Sequence, residues 1–316
     1  MKQIVKVKNE LARDDHNPAA IYLVGLSGAG RYTMRRTLET IAAMVSNGNA
    51  NIESFAWHEL RFQHVTAIKS KLESSGYKPA TINKFLAALR GAARAAWLDE
   101  QMTAEEYQRI KAVKIVKNET LPAGRGITSG ELSALLSACE DDKTNAGARD
   151  AAIIAMMYSC GGLRRAEVVT LDHADYDADS GCLKIRGKGN KERMAYVTGG
   201  AARAVADWLS IRGNNPGALF FAINKGGKIQ ERRLTSQAIY NMLQKRGDEA
   251  GVKSFSPHDL RRSFISDLLD AGADITTVSK MAGHANVTTT SRYDRRPEEA
   301  KRKAASLLHV PYHGRG

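Results

Sequence analysis

Through its first third the chain places apolar residues at helical spacing, and this periodicity limits its fold more than any other feature. Met34, Leu38, Ile41 and Val45 repeat every three or four residues. Trp57, Leu60, Val65, Ile68 and Leu72 do the same, and so do Ile82, Phe85, Leu86, Leu89, Ala93 and Trp97. Breaks at Ser75-Gly76 and Lys78-Pro79 separate the last two runs, and a short helix is expected from Ala104 to Ile110. The pattern predicts a four- or five-helix domain over residues 17–117, preceded by a mobile leader at 1–16 that ends at Asn17-Pro18.

Pro122, Gly124 and Gly126 mark a linker over 118–127, and a Thr128–Glu131 capping box then starts a new helix. The second domain, 128–296, reads as mainly α with a small antiparallel β-sheet. Ala151 to Tyr158 is apolar all round and predicts a buried helix. Cys182–Arg186 and Met194–Val197 read as strands of a hairpin joined by Gly187-Lys188-Gly189-Asn190-Lys191-Glu192. Helices are expected near 200–212, 235–250 and 257–271, the last opened by Ser256-Pro257, and a shorter one from Asp274 to Gly283. Pro297 opens a final helix within a C-terminal segment, 297–316.

The 316 residues carry a net charge of +13, shared by both halves of the chain, and 43% of them are hydrophobic. That combination describes a globular protein with a polyanionic partner rather than a disordered basic tail. No apolar run is long enough to span a membrane, and the first residues do not resemble a signal peptide. Three scattered cysteines exclude a disulfide framework and a CxxC zinc site, and a cytoplasmic location is expected. One motif is a decoy. Gly25 to Tyr32 imitates a phosphate-binding loop, but Arg31 and Tyr32 stand where that loop needs Lys and Ser or Thr. It reads instead as a turn into a helix.

The chemistry lies in the second domain. Arg164 follows Gly161-Gly162, with Glu167 one turn later to hold an arginine. Lys188 sits between glycines at a hairpin tip, His258 and Arg261 lie three apart on one helix face, His284 follows Gly283, and Tyr293 comes nine residues after it. Each piece alone has an ordinary explanation: a capped helix, a solvated tip, a half-buried ring. Together, two arginines and a lysine can neutralise a pentavalent phosphoryl transition state. Two histidines can handle protons near neutral pH, and a tyrosine oxygen can attack phosphorus. No paired carboxylates stand ready to hold magnesium, so no metal and no cofactor are expected.

In order and spacing this set resembles that of the tyrosine recombinases, the lambda-integrase and Xer family. Asn17 to Leu23 and Thr81 to Arg90 also resemble that family's core-binding domain. The resemblance implies a two-domain, C-shaped clamp on duplex DNA and site-specific strand exchange through a 3′-phosphotyrosyl intermediate and a Holliday junction. It implies Tyr293 as nucleophile, Arg164 and Arg261 on the phosphate oxygens, and Lys188 as acid for the 5′-oxygen. His258 would move protons, His284 would bond the phosphate and Glu167 would support the set. It further implies a homo-tetramer on two DNA sites, exchange of the C-terminal helix between protomers, and accessory proteins in some systems. Asn83, Lys84, Arg90 and Arg94 are candidate DNA contacts on one helix. Two other readings remain open at this point: a type IB topoisomerase and a non-catalytic DNA-binding protein on the same fold.

Overall fold

The computed structural model describes residues 16–117, 124–187, 191–284, 286–291, 305–306 and 311. The leader before His16, Lys188 and the helix expected to open at Pro297 lie outside the described residues. The chain divides into two compact units, residues 1–120 and 121–316.

The first unit is built around one helix. Its elements are α1 (Pro18–Val24), α2 (Gly28–Val45), α3 (Phe62–Ser74), α4 (Pro79–Leu98) and α5 (Ala104–Ala112). Helix α4 touches all four of the others. Pro79 presets its first turn, and its interior is rich in alanine, the best helix former. Ile82, Phe85, Leu86, Leu89, Ala92 and Ala93 are buried along it. Trp57 and Leu60 were expected to share a helix with Val65. They precede it instead, in and beside a 3-10 turn, with the Trp57 indole N–H donating to the Ile52 carbonyl at 2.8 Å. The backbone extends at Arg61 before α3 begins, and apolar spacing that runs through such a break conceals it.

A helix, not a strand, precedes the glycine-rich decoy. Asn17 caps α1, accepting from the N–H groups of Ala19 and Ala20, while its Nδ2 donates to the carbonyls of Ile52 and Glu53. Arg31 folds back and donates to the carbonyls of Leu23, Val24 and Leu26 at 3.0, 3.1 and 3.1 Å. It satisfies the orphan acceptors at the end of α1.

The second unit contains α6 (Ser129–Asp141), α7 (Asn145–Ser159), α8 (Arg165–Thr170), β1 (Cys182–Arg186), β2 (Glu192–Tyr196), α9 (Gly199–Arg212), β3 (Phe221–Ile223), β4 (Ile229–Arg233), α10 (Ser236–Glu249), α11 (Pro257–Asp270), α12 (Ile275–Ala282) and α13 (Val287–Ser291). Helix α7 is the buried helix that its sequence predicts, packed among α6, α9 and α11. Ile153, Ile154, Met156 and Met157 are fully buried, each worth about 1.5–3 kcal/mol of transfer free energy. Strands β1 and β2 pair antiparallel, Cys182 opposite Tyr196 and Arg186 opposite Glu192. A second two-stranded antiparallel sheet, β3 with β4, was not read from sequence. Its first strand has three residues and its second is mostly polar, so neither shows a clear alternation. Among the described residues no helix is long and apolar enough to cross a membrane.

Polar ties hold the helices around α7. Arg246 of α10 is buried and donates to Asp142 at 2.6 Å, Asp150 at 2.9 Å and Glu249 at 2.8 Å. The turn between α6 and α7 is tight. A Cβ on Gly147 would collide with the backbone carbonyls of Asp142 and Cys139, which cannot swing aside. Gly147→Ala is therefore expected to lower unfolding stability by about 2–3 kcal/mol through overpacking. Gly130→Ala, in open space on α6, is expected to raise it by about 0.5 kcal/mol. Urea unfolding of the two variants checks both signs.

Candidate active site

Four of the six side chains expected to be catalytic gather where α8, α11 and the end of α12 converge. Two glycines allow the approach. Gly161 and Gly162 have φ of +74° and +56°, a region that costs an L side chain about 1–2 kcal/mol. A Cβ on Gly161 would lie 2.7 Å from the Met281 carbonyl oxygen, and one on Gly162 would lie 3.0 Å from Arg261 Cγ. Arg261 enters this gap almost fully buried. It donates to the Gly162 carbonyl at 2.7 Å and the Ala282 carbonyl at 2.5 Å, which fixes the guanidinium between the turn before α8 and the end of α12.

Arg164 is the N-cap residue of α8 and keeps 44% of its side chain exposed. Its guanidinium donates to Glu167 Oε1 at 2.7 Å and its backbone N–H to Glu167 Oε2 at 2.9 Å. Glu167 is buried and has a second partner that sequence reading missed. Arg193 of β2 binds it in bidentate fashion, at 3.1 and 2.9 Å, and reaches the Met281 carbonyl with Nε at 3.0 Å. Burial alone would raise the Glu167 pKa, but the bonds from Arg193 and the Arg164 N–H outweigh it and lower the pKa. One carboxylate thus joins α8, the β1–β2 hairpin and the end of α12. The only sequence signal for Arg193 is its place on a strand beside the hairpin lysine.

The histidines sit in this field of guanidinium groups. His284 follows Gly283, which ends α12 in a left-handed conformation at φ +65°. Its Nδ1 is hydrogen-bonded to the buried Thr290 Oγ1 at 2.7 Å, which anchors α13, the helix that leads toward Tyr293. Burial, then the charges of Arg261 and Arg164, push the His284 imidazole down to about 4. His258, in the first turn of α11, is lowered by the surrounding protein and next by Arg261 and Arg262, against a raising contribution from Asp259. Both rings are therefore neutral at pH 7, able to accept or donate a proton.

Lys188, Arg292 and Tyr293 lie outside the described residues. The hairpin residue before the lysine does not. Gly187 donates its N–H to the Lys191 carbonyl at 2.7 Å, and a Cβ there would lie 3.7 Å from Glu167 Oε1. The base of the lysine loop therefore lies beside the same buried carboxylate.

The residues suggested for DNA contact divide. Asn83 is a clamp within its own unit, with Nδ2 donating to the Val116 carbonyl at 2.8 Å and Oδ1 accepting from the Val116 N–H at 2.9 Å. Arg90 donates to the Val113 carbonyl. Both side chains are engaged with the chain after α5. Lys84 lies 5.8 Å from the centre of the Phe85 ring, and Arg94 is exposed.

Two outcomes are expected. Arg193→Ala should cost about 3 kcal/mol, because it strands a buried carboxylate, and pairing it with Glu167→Gln should cost less than the two added together. A double-mutant cycle by chemical denaturation measures this. Stability should also fall as pH drops from 6.5 toward 4, where an unfolded His284 takes up a proton that the folded one refuses. His284→Gln should flatten that part of the pH profile of the melting temperature.

The chain is similar to known proteins along most of its length. A family model described as the phage integrase family matches residues 125–299. The tyrosine recombinase XerC of Natranaerobius thermophilus is 30% identical over 282 residues, covering 86% of this chain and 90% of its own. The XerC of Pseudomonas aeruginosa is 32% identical over 286 residues, covering 85% and 88%. Among solved structures, the Tn1549 transposon integrase in complex with a circular intermediate DNA shares the fold at a TM-score of 0.67 and 16% identity, over 93% of this chain and 100% of that one. A lambda integrase dimer bound to a core site does so at 0.64 and 13%, over 90% and 95%. With a family match across more than half of its length and relatives aligned along most of theirs, the chain belongs to the phage integrase family and is a tyrosine site-specific recombinase.

Proposed function

We propose that the protein cuts and rejoins duplex DNA at a specific site with Tyr293 as the nucleophile. The observation that carries this reading is the gathering of Arg164, Arg261, His258 and His284 where α8, α11 and the end of α12 converge, with Arg164 held by the buried Glu167 and Arg261 by backbone carbonyls. Two cationic guanidiniums in a partly buried site favour a phosphate, whose charge grows as the pentavalent transition state forms. Arg164 remains partly exposed and Arg261 is pre-set by backbone carbonyls, so little reorganisation is needed when the phosphate arrives.

In this mechanism the Tyr293 oxygen attacks phosphorus and loses its proton to His258, acting as base. The phosphorus–oxygen bond to the 5′ side breaks as the new bond forms, leaving a 3′-phosphotyrosyl ester and a 5′-hydroxyl. Lys188 gives the departing 5′-oxygen its proton, and His284 donates to a non-bridging oxygen. The ester retains the energy of the broken bond, so attack by a second 5′-hydroxyl rejoins strands with no nucleotide and no metal. Glu167 keeps Arg164 and the base of the lysine loop in register. We propose further that exchange proceeds through a Holliday junction within a homo-tetramer on two DNA sites. Residues 297–316 would be exchanged between protomers, accessory proteins would take part in some settings, and the work would be done in the cytoplasm.

Incubation with a plasmid bearing the DNA that flanks its own gene, followed by denaturation, should yield protein covalently joined to a 3′ end. Tyr293→Phe should abolish the adduct, and persistence of the adduct would overturn the assignment. Lys188→Ala should slow cleavage at least 100-fold on ordinary DNA and much less on DNA with sulfur at the bridging 5′ position. A thiolate leaves without a proton at pH 7 far more readily than an alkoxide. Equal defects on the two substrates would remove Lys188 from the role of acid.

A further inference from the structure

Helix α11 presents two working faces. His258 and Arg261 lie on one, and Asp259, Arg262 and Ser263 lie about a third of a turn around it. The second face holds the segment Gly124–Ile127, which leads directly into α6. The Arg125 N–H donates to Asp259 Oδ1 at 3.0 Å, and Arg262 Nη1 donates to the Gly124 carbonyl at 3.0 Å. Ser263 Oγ accepts from the Ile127 N–H at 2.6 Å and donates to the Ile127 carbonyl at 3.1 Å. The Arg125 guanidinium bonds the carbonyls of Lys253 and Ser254, just ahead of α11, and Glu131 of α6 at 2.6 Å.

Three features set this seam apart from ordinary packing. Asp259, Arg262 and Ser263 are all buried, and polar groups are buried at a cost unless their bonds are made. Gly124 has φ of +108°, and a Cβ there would fall on Asp259 Oδ1 and come within 3.3 Å of Arg262 Nη2. Asp259 also closes the cap of α11, its Oδ2 accepting from Ser256 N–H at 2.8 Å and Ser256 Oγ at 2.9 Å. One carboxylate thus fixes both the first turn of α11, where His258 stands, and the segment laid across it.

We propose that residues 124–127 are a positioning strap for the catalytic helix: Gly124 and Arg125, acting through Asp259 and Arg262, hold the first turns of α11 so that His258 and Arg261 meet the scissile phosphate. The inference rests on the assignment of those two residues to cleavage. A displacement of about 1 Å at reacting groups can cost on the order of 100-fold in rate, so a strap outside the site can govern chemistry without touching DNA.

The test uses the full chain and a nicked duplex carrying its own recombination site. Affinity and the first-order rate of covalent adduct formation at saturating DNA are measured for the parent, Gly124→Ala, Arg125→Ala and Arg125→Lys. Gly124→Ala forces the strap off Asp259. Arg125→Ala keeps the backbone donor and removes only the guanidinium bonds. The expected result is a rate at least tenfold lower in Gly124→Ala and about fivefold lower in Arg125→Ala, partly restored in Arg125→Lys, with affinity within twofold of the parent. Unchanged rates overturn the proposal. So do losses that merely follow the unfolded fraction seen by circular dichroism, or that appear only in affinity. A parent protein that forms no Tyr293-dependent adduct overturns the assignment of the site itself, and the strap falls with it.

Discussion

The buried carboxylate of Glu167 is the interaction on which the site depends. A carboxylate out of water is costly unless its lone pairs are filled, and here a bidentate arginine, a second arginine and a backbone N–H fill them. Each of those donors belongs to, or leads into, an element that brings chemistry: Arg164 itself, the strand after the lysine loop, and through Arg193 the end of α12 beside His284. These elements lie far apart in sequence. The charge pair gives them a common origin.

The same economy recurs on the other side. Arg261 is held by the carbonyls of Gly162 and Ala282, Asp259 by Ser256 and Arg125, and Arg246 by three carboxylates. In each case a buried polar group spans elements distant in sequence, and its burial makes the geometry stiff. A site meant to receive a phosphate gains from such stiffness, because donors already aimed at the developing charge need no reorientation during the reaction. The lowered histidines follow first from burial and then from the neighbouring guanidiniums, both of which resist a further positive charge.

Much of this was legible in the chain. The apolar run from Ile82 to Ala93 marked α4, and the all-round apolar stretch at Ala151 marked α7, because core helices advertise their buried faces. Thr128 with Glu131 and Ser256 with Asp259 announced their helices through capping chemistry that is local by nature. Arg164, His258, Arg261 and His284 could be named because glycines and fixed spacings surround them. Failures came where local pattern and tertiary contact part company. Trp57 continued a spacing that the backbone interrupts, and the short or mostly polar strands of the second sheet show no clear alternation. The bonds of Asn83 to Val116, 33 residues away, leave no local trace in the sequence.

By itself the sequence determined most of the helical elements, the β1–β2 hairpin, and the set of chemically able side chains with their order along the chain. These follow from periodicity, caps and glycines, which act over a few residues. Only the tertiary structure decided that Arg193 belongs with Glu167, that Arg31 closes a helix rather than facing a phosphate, and that residues 124–127 lie across α11. Each of these joins depends on where a long side chain ends after the backbone has folded. A guanidinium can reach carboxylates and carbonyls far away in sequence, so its partner is chosen by the packing of whole elements and not by its neighbours in the chain.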